Sequence, residues 1–196
     1  MSGSSFVREK AEEKTLSHLG RKPISIPPGV QVDLKPGSVT VKGPKGTVTQ
    51  VYHPDVKVRV EGDTVVVERL SEAKFHRALH GMTRTLIANA IIGAADGYTK
   101  TMELMGVGYR VAQQGQGILL SVGMSHQVDM QPPAGVTMRV EGNNRIHISG
   151  TDKQKVGQLA AQVRRVRPPN PYKEKGIKYQ GEVLHLKPGK AAARKA

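Results

Sequence analysis

The sequence predicts an α+β fold built as a tandem duplication. Three observations predict it: an internal repeat, strand-period alternation in both copies, and one apolar helical stripe after each set of strands. Shifting the chain by 80 residues lays Val58-Arg59-Val60-Glu61-Gly62 on Met138-Arg139-Val140-Glu141-Gly142. In the same register Gly43 meets Gly123, Val48 meets Val128, Leu79 meets Leu159 and Arg84 meets Arg164. Isolated matches arise by chance in a chain with 22 glycines. Matches that keep one register and one order of strand, turn and helix mark a duplicated unit.

Taken in order, residues 1–18 stand outside the repeat. They carry three Lys/Arg against three Glu and read as a mobile extension or a short frayed helix. The first unit spans 19–98. Apolar and polar residues alternate over 39–42, 56–60 and 64–68, which predicts half-buried strands. Gly43-Pro44-Lys45-Gly46 reads as the turn joining the first two, and Glu61-Gly62-Asp63 closes a hairpin. Ser71 is the expected N-cap of a helix whose stripe is Phe75, Leu79, Met82, Leu86 and Ala90, with Arg77, His80 and Arg84 on the opposite, solvated face.

The second unit spans 99–188. Residues 102–111 read as one extended crossing strand, followed by strands at 117–122, 136–140 and 145–148 and a turn at Asn143-Asn144. Thr151 and Gln154 form the pattern of a capping box, and the helix that follows buries Val156, Leu159, Ala160 and Val163. Pro168-Pro169 stops it near Arg167. Residues 189–196 read as a flexible basic tail.

Composition narrows the function. With two Phe, five Tyr and no Trp at 37% hydrophobic residues, the cores are aliphatic. Zero cysteines exclude disulfides and thiolate metal sites. No run of about 18 apolar residues exists to cross a membrane, and the start lacks the pattern of a secretory signal, so the cytoplasm is the expected compartment. Glu72, His76 and His80 recur at helical spacing like metal ligands, but no further ligand accompanies them, and a solvated polar face is expected. Gly106-Val107-Gly108 lacks the third glycine of a dinucleotide loop, since position 111 is Val, and reads as a strand bend. Gly43-Pro44-Lys45-Gly46 lacks the Gly-Lys-Ser/Thr ending of a phosphate loop. No nucleophile stands with a neighbouring base. No enzyme, cofactor, metal or small-molecule substrate is expected.

The charge is unevenly placed. Residues 151–196 hold 12 Lys/Arg against three acidic residues, a net +9 of the chain's +14. Clustered cations displace counterions from a polyphosphate, so this stretch is an electrostatic footprint for nucleic acid. The helix face Lys155, Gln158, Gln162, Arg165 runs directly into it. In 164–179, prolines at 168, 169 and 171 stiffen the backbone, basic side chains reach phosphates, and Tyr172 and Tyr179 either offer stacking surfaces or pack back onto the domain, the two readings being even for Tyr179 in its strand-like Ile177-Lys178-Tyr179. Read as an arm, this segment leaves the frame folded when the chain is cut after Arg167.

These segments resemble the bacterial form of large-subunit ribosomal protein six. The likeness rests on Gly20-Arg21-Lys22-Pro23-Ile24, Gly97-Tyr98-Thr99-Lys100, Leu104-Met105-Gly106-Val107-Gly108-Tyr109-Arg110, residues 152–167, and Pro169-Asn170-Pro171-Tyr172-Lys173-Glu174-Lys175-Gly176-Ile177, and covers about residues 19–190. It implies two homologous α+β domains. It also implies contact with large-subunit ribosomal RNA, chiefly through the second domain and the basic C-terminal segment, beside the sarcin-ricin loop and the factor-binding region, with neighbouring ribosomal proteins as further partners. RNA contact is thereby carried onto Lys153, Lys155, Arg164, Arg165, Arg167, Tyr172, Lys173, Lys175 and Lys178. Two residues depart from the family pattern: Asn170 stands where glutamate is usual, and Glu174 where glycine is usual. The competing reading is a non-ribosomal basic module that binds an acidic partner or an anionic membrane. The lack of a basic amphipathic helix with large apolar anchors in the tail argues against it.

Overall fold

The computed structural model describes residues 18–189, which fall into two compact units divided between Ala95 and Asp96. In the first unit the order is α1 (His18–Arg21), β1 (Ile24–Ser25), β2 (Gln31–Lys35), β3 (Ser38–Gly43), β4 (Gly46–Val51), β5 (Val56–Glu61), β6 (Thr64–Arg69) and α2 (Lys74–Ala95). In the second it is β7 (Tyr98–Met105), β8 (Arg110–Gln114), β9 (Gly117–Ser121), β10 (Val128–Met130), β11 (Val136–Glu141), β12 (Arg145–Gly150), α3 (Lys153–Val166) and β13 (Gly176–Tyr179).

Topology makes the duplication visible. The first unit has two antiparallel sheets, ordered β1-β6-β5 and β2-β3-β4; the second has β7-β12-β11 and β8-β9-β10 in the same arrangement, with β13 added beside β7. β5 and β11 differ by the 80 residues of the repeat. Each unit therefore has two small antiparallel sheets where alternation suggested one; α2 packs on strands of both, and α3 on β7, β12 and β13 of one. Two expected strand features also change. The 43–46 turn leads into β4, a strand of alternating Thr and Val that pairs with β3, not into β5. The crossing strand expected over 102–111 is broken: β7 ends at Met105, a turn follows, and β8 joins the other sheet.

The helix faces are set by what the sheets accept. α2 buries Leu79, His80, Thr83, Ile87, Ala90, Ile91 and Ala94, while Phe75 and Met82 of the expected stripe are 58% and 50% exposed. Ile87 and Ile91 fill the space beneath the helix, and the small Ala94 lets its last turn approach until the Ala94 carbonyl accepts the Lys45 amide at 3.0 Å. His80 is thus not on the solvated face. Its Nε2 donates to the Val67 carbonyl at 2.8 Å and its Nδ1 faces Arg69 at 3.2 Å. Glu72 turns away to pair with Arg69, and His76 faces Asp55, so the three do not converge. Among the described residues no group of side chains fits a metal, and no helix is long and apolar enough to cross a membrane. Ser71 is two residues early for a cap: its hydroxyl accepts the Ala73 amide, and the helix begins at Lys74.

The second core gathers Met102, Leu104, Ile118, Leu120, Ile146, Ile148, Leu159, Val163 and Ile177. α3 buries Val156, Leu159, Ala160 and Val163 as the spacing predicts, packing on β7, β12 and β13. Its N-cap is Asp152, whose carboxylate accepts the Gln154 amide at 2.8 Å, and not Thr151. Residues 1–17 and 190–196, which hold nearly all of the expected extension and tail, lie outside the described residues.

Candidate nucleic-acid interface

Because α3 anchors its apolar stripe, its other face is turned outward. Lys153, Lys155, Gln158, Gln162 and Arg165 are all exposed. Lys155 reaches the Ala134 carbonyl at 3.4 Å, and the Lys153 ammonium lies 5.6 Å from the centre of the Tyr98 ring. The helix ends at Val166, with Arg167 in a non-helical cap conformation.

From Arg167 the chain makes a closed loop. The Ile177 amide donates to the Arg167 carbonyl at 2.8 Å, the Asn170 amide to Lys175 at 2.8 Å, and the Glu174 amide to Asn170 at 3.1 Å. The Asn170 side chain accepts the Tyr172 amide at 2.8 Å, a short Asx turn that suits asparagine better than the longer glutamate. At Gly176 the Pro168-Pro169 backbone crosses so closely that a Cβ would sit about 2.6 Å from Pro168 O. Glu174 has φ 55°, the one non-glycine residue with positive φ among the described residues. It occupies the left-handed conformation that the usual glycine would take without strain. The loop's tip carries Tyr172, 56% exposed, with Lys173 and Lys175 exposed beside it.

Beyond the loop, β13 pairs with β7 from Gly176↔Met105 to Tyr179↔Met102 and buries Ile177 completely. The segment is therefore no detachable arm. Cutting after Arg167 removes a core strand, which overturns the expectation that the frame survives the cut. The chain then folds back: Glu182 accepts from Arg164 at 2.7 Å and from the Tyr179 amide at 3.0 Å, and the Lys187 amide donates to Pro171 at 2.9 Å. The Arg164 hydrogen bond holds the Glu182 carboxyl below the usual carboxylate range.

Of the nine residues singled out in the sequence, the structure sets Lys153, Lys155 and Arg165 on the exposed face of α3, and Arg167, Tyr172, Lys173 and Lys175 on the loop after it. Lys178 lies on β13, half-buried. Arg164 is turned inward, paired with Glu182 and 5.8 Å from the centre of the Tyr179 ring. Tyr179 packs on the core rather than standing free, with Lys100 near its ring at 5.9 Å. Sequence reading missed Tyr109, whose hydroxyl accepts from Arg167 Nε at 3.3 Å across 58 positions, and Glu182. No local pattern marks either; only the pairing of β13 with β7 brings them to the loop.

The model of the family described as ribosomal protein L6 matches residues 26–97 and 105–180, one match in each unit. The chain is 52% identical to large ribosomal subunit protein uL6 of Caldicellulosiruptor bescii, over 90% of this chain and 97% of that one. It is 50% identical to large ribosomal subunit protein uL6 of Thermus thermophilus, over 92% of this chain and all of that one. For the protein of the same name from Geobacillus stearothermophilus the identity is 52%, over 89% and 98%. With both units matched and half of the residues shared across nearly the full length of each relative, this chain belongs to the ribosomal protein L6 family.

Proposed function

We propose that this chain is a structural constituent of the large ribosomal subunit. It binds large-subunit ribosomal RNA chiefly through its second unit and the 164–179 segment, beside the sarcin-ricin loop and the region where translation factors dock. It is not an enzyme. Its partners are that RNA and neighbouring ribosomal proteins, in the cytoplasm. One observation carries the reading: a loop closed by its own backbone hydrogen bonds presents Tyr172, Lys173 and Lys175 outward, next to Arg165 and Arg167 at the end of α3.

Such a loop is ordered before it meets a ligand, so little conformational entropy is lost on docking. Lys153, Lys155, Arg165, Arg167, Lys173, Lys175 and Lys178 neutralise phosphates, and Tyr172 stacks on a base or ribose. Arg164 acts indirectly: its pair with Glu182 ties the returning chain to α3. The test is binding of the purified protein to large-subunit rRNA across a salt series. A log–log slope implying about five or more released counterions supports the reading, and a flat response refutes the charge mechanism. Hydroxyl-radical footprinting on the same RNA tests the location; protection confined to regions away from the sarcin-ricin loop refutes it.

A further inference from the structure

We propose that the 106–109 turn forms the second wall of the RNA site, with Val107 seated against the ribose face of the bound strand while Lys173 and Lys175 hold its phosphates. This rests on the RNA-binding reading above and assigns a role to a turn that the basic residues do not explain.

Val107 is 93% exposed, more than any other large apolar residue among those described. A lone exposed valine is ordinary on a protein surface. This one is held out by a built turn. The Tyr109 amide donates to the Gly106 carbonyl at 3.2 Å, and Gly106 and Gly108 have φ of 149° and 80°, values that a side chain on either would strain. The Tyr109 ring lies beneath: a Cβ on Gly106 would stand 3.1 Å from it, and one on Gly123 3.3 Å. The same tyrosine's hydroxyl accepts from Arg167 Nε, so one aromatic ring fixes both the turn and a cation of the basic segment.

The turn and the basic loop leave the sheet side by side. Met105, the last residue of β7, pairs with Gly176, the first of β13. Between them lies a groove of about 350 Å³ lined by Met105, Gly106, Val107, Lys173, Glu174 and Lys175. One wall is apolar and uncharged; the other carries two lysines against one glutamate. A nucleic-acid strand has that same division, with an apolar sugar face between anionic phosphates, and the +9 balance of residues 151–196 favours it over a neutral or basic protein surface.

The experiment uses the full-length protein and a labelled in vitro transcript of large-subunit rRNA at near-physiological salt. Val107→Ala is expected to weaken binding about fivefold to twentyfold, by loss of two methyl groups from a covered surface, without changing the salt slope. Val107→Asp is expected to weaken it by about a hundredfold or more, since an anion is set against phosphates. The double variant Lys173→Ala/Lys175→Ala weakens binding and reduces the salt slope by about 1.5. Val51→Asp, at a 70% exposed site in the first unit, controls for added charge and stays within about threefold of wild type, because salt screens an exposed charge that does not touch the bound strand. Thermal melts confirm that each variant is folded; should Val107→Asp not fold, Val107→Ala decides. If Val107→Ala binds within twofold of wild type while the lysine pair is weakened, the turn lies outside the site and the proposal falls, with the RNA-binding reading intact. If the lysine pair also binds like wild type, that reading falls and takes the proposal with it.

Discussion

Replacing Ile177 by alanine separates a basic arm from a basic edge of the core. Ile177 lies near the end of the segment proposed to bind RNA, yet it is fully buried in the second core and sits on β13 opposite Leu104 of β7. Ile→Ala removes three carbons. At about 0.8 kcal/mol per buried CH₂ the transfer loss alone is about 2.4 kcal/mol. The cavity left between β7, β13 and α3 raises the total to about 3–4 kcal/mol, within the usual range for such truncations. For a domain whose whole stability is about 5–15 kcal/mol, that is a large fraction. Urea unfolding followed by circular dichroism reads it as a lower midpoint with unchanged slope in the transition of the second unit. A loss below about 1 kcal/mol would mean that the segment is peripheral, and the description of β13 as a core strand would be wrong.

Three further outcomes are expected. Glu174→Gly relieves a left-handed φ of 55° and should stabilise the second unit by about 0.5–1 kcal/mol in thermal melts; destabilisation would show that Glu174 makes a compensating contact. Gly157 lies inside α3 with open space where a Cβ would stand, so Gly157→Ala should add about 0.5–1 kcal/mol from helix propensity, and a loss in the free protein would contradict that geometry. The Glu182 carboxyl has its pKa lowered in the folded state by Arg164, so its contribution is present above the unfolded carboxylate pKa of about 4 and is lost as pH falls through the lower folded value. Wild type should therefore lose more stability than Glu182→Gln between neutral and acidic pH; equal losses would refute the linkage.

Much of the fold was legible because its signals are local. The hairpins β5–β6 and β11–β12 are written in short runs of apolar and polar residues that largely alternate around Glu61-Gly62-Asp63 and Glu141-Gly142-Asn143. The stripe of α3 was readable because its apolar residues all face one sheet. α2 was misread because Phe75 and Met82 are more apolar than His80 and Thr83, yet the buried face runs through the small Thr83 and through His80, which is hydrogen-bonded to the Val67 carbonyl. The basic loop was read as a ligand site from its composition, but not as part of the core. Ile177 finds its partner Leu104 some 70 positions back, and pairing at that distance leaves no trace in the loop's own residues.

The two copies leave different borders to their sheets. In the first, β1 is a border strand two residues long, too brief to template another chain. In the second, its counterpart β7 runs for eight residues and is covered by β13, a strand made only after α3. During synthesis β7 therefore spends the time needed to translate some 70 codons with one row of amides and carbonyls unclaimed, inviting pairing with a neighbouring nascent chain. The strand that seals this row also closes the loop carrying Lys173 and Lys175, through the Ile177 amide on the Arg167 carbonyl, so a polypeptide abandoned before residue 176 keeps a bare border and lacks the closed loop.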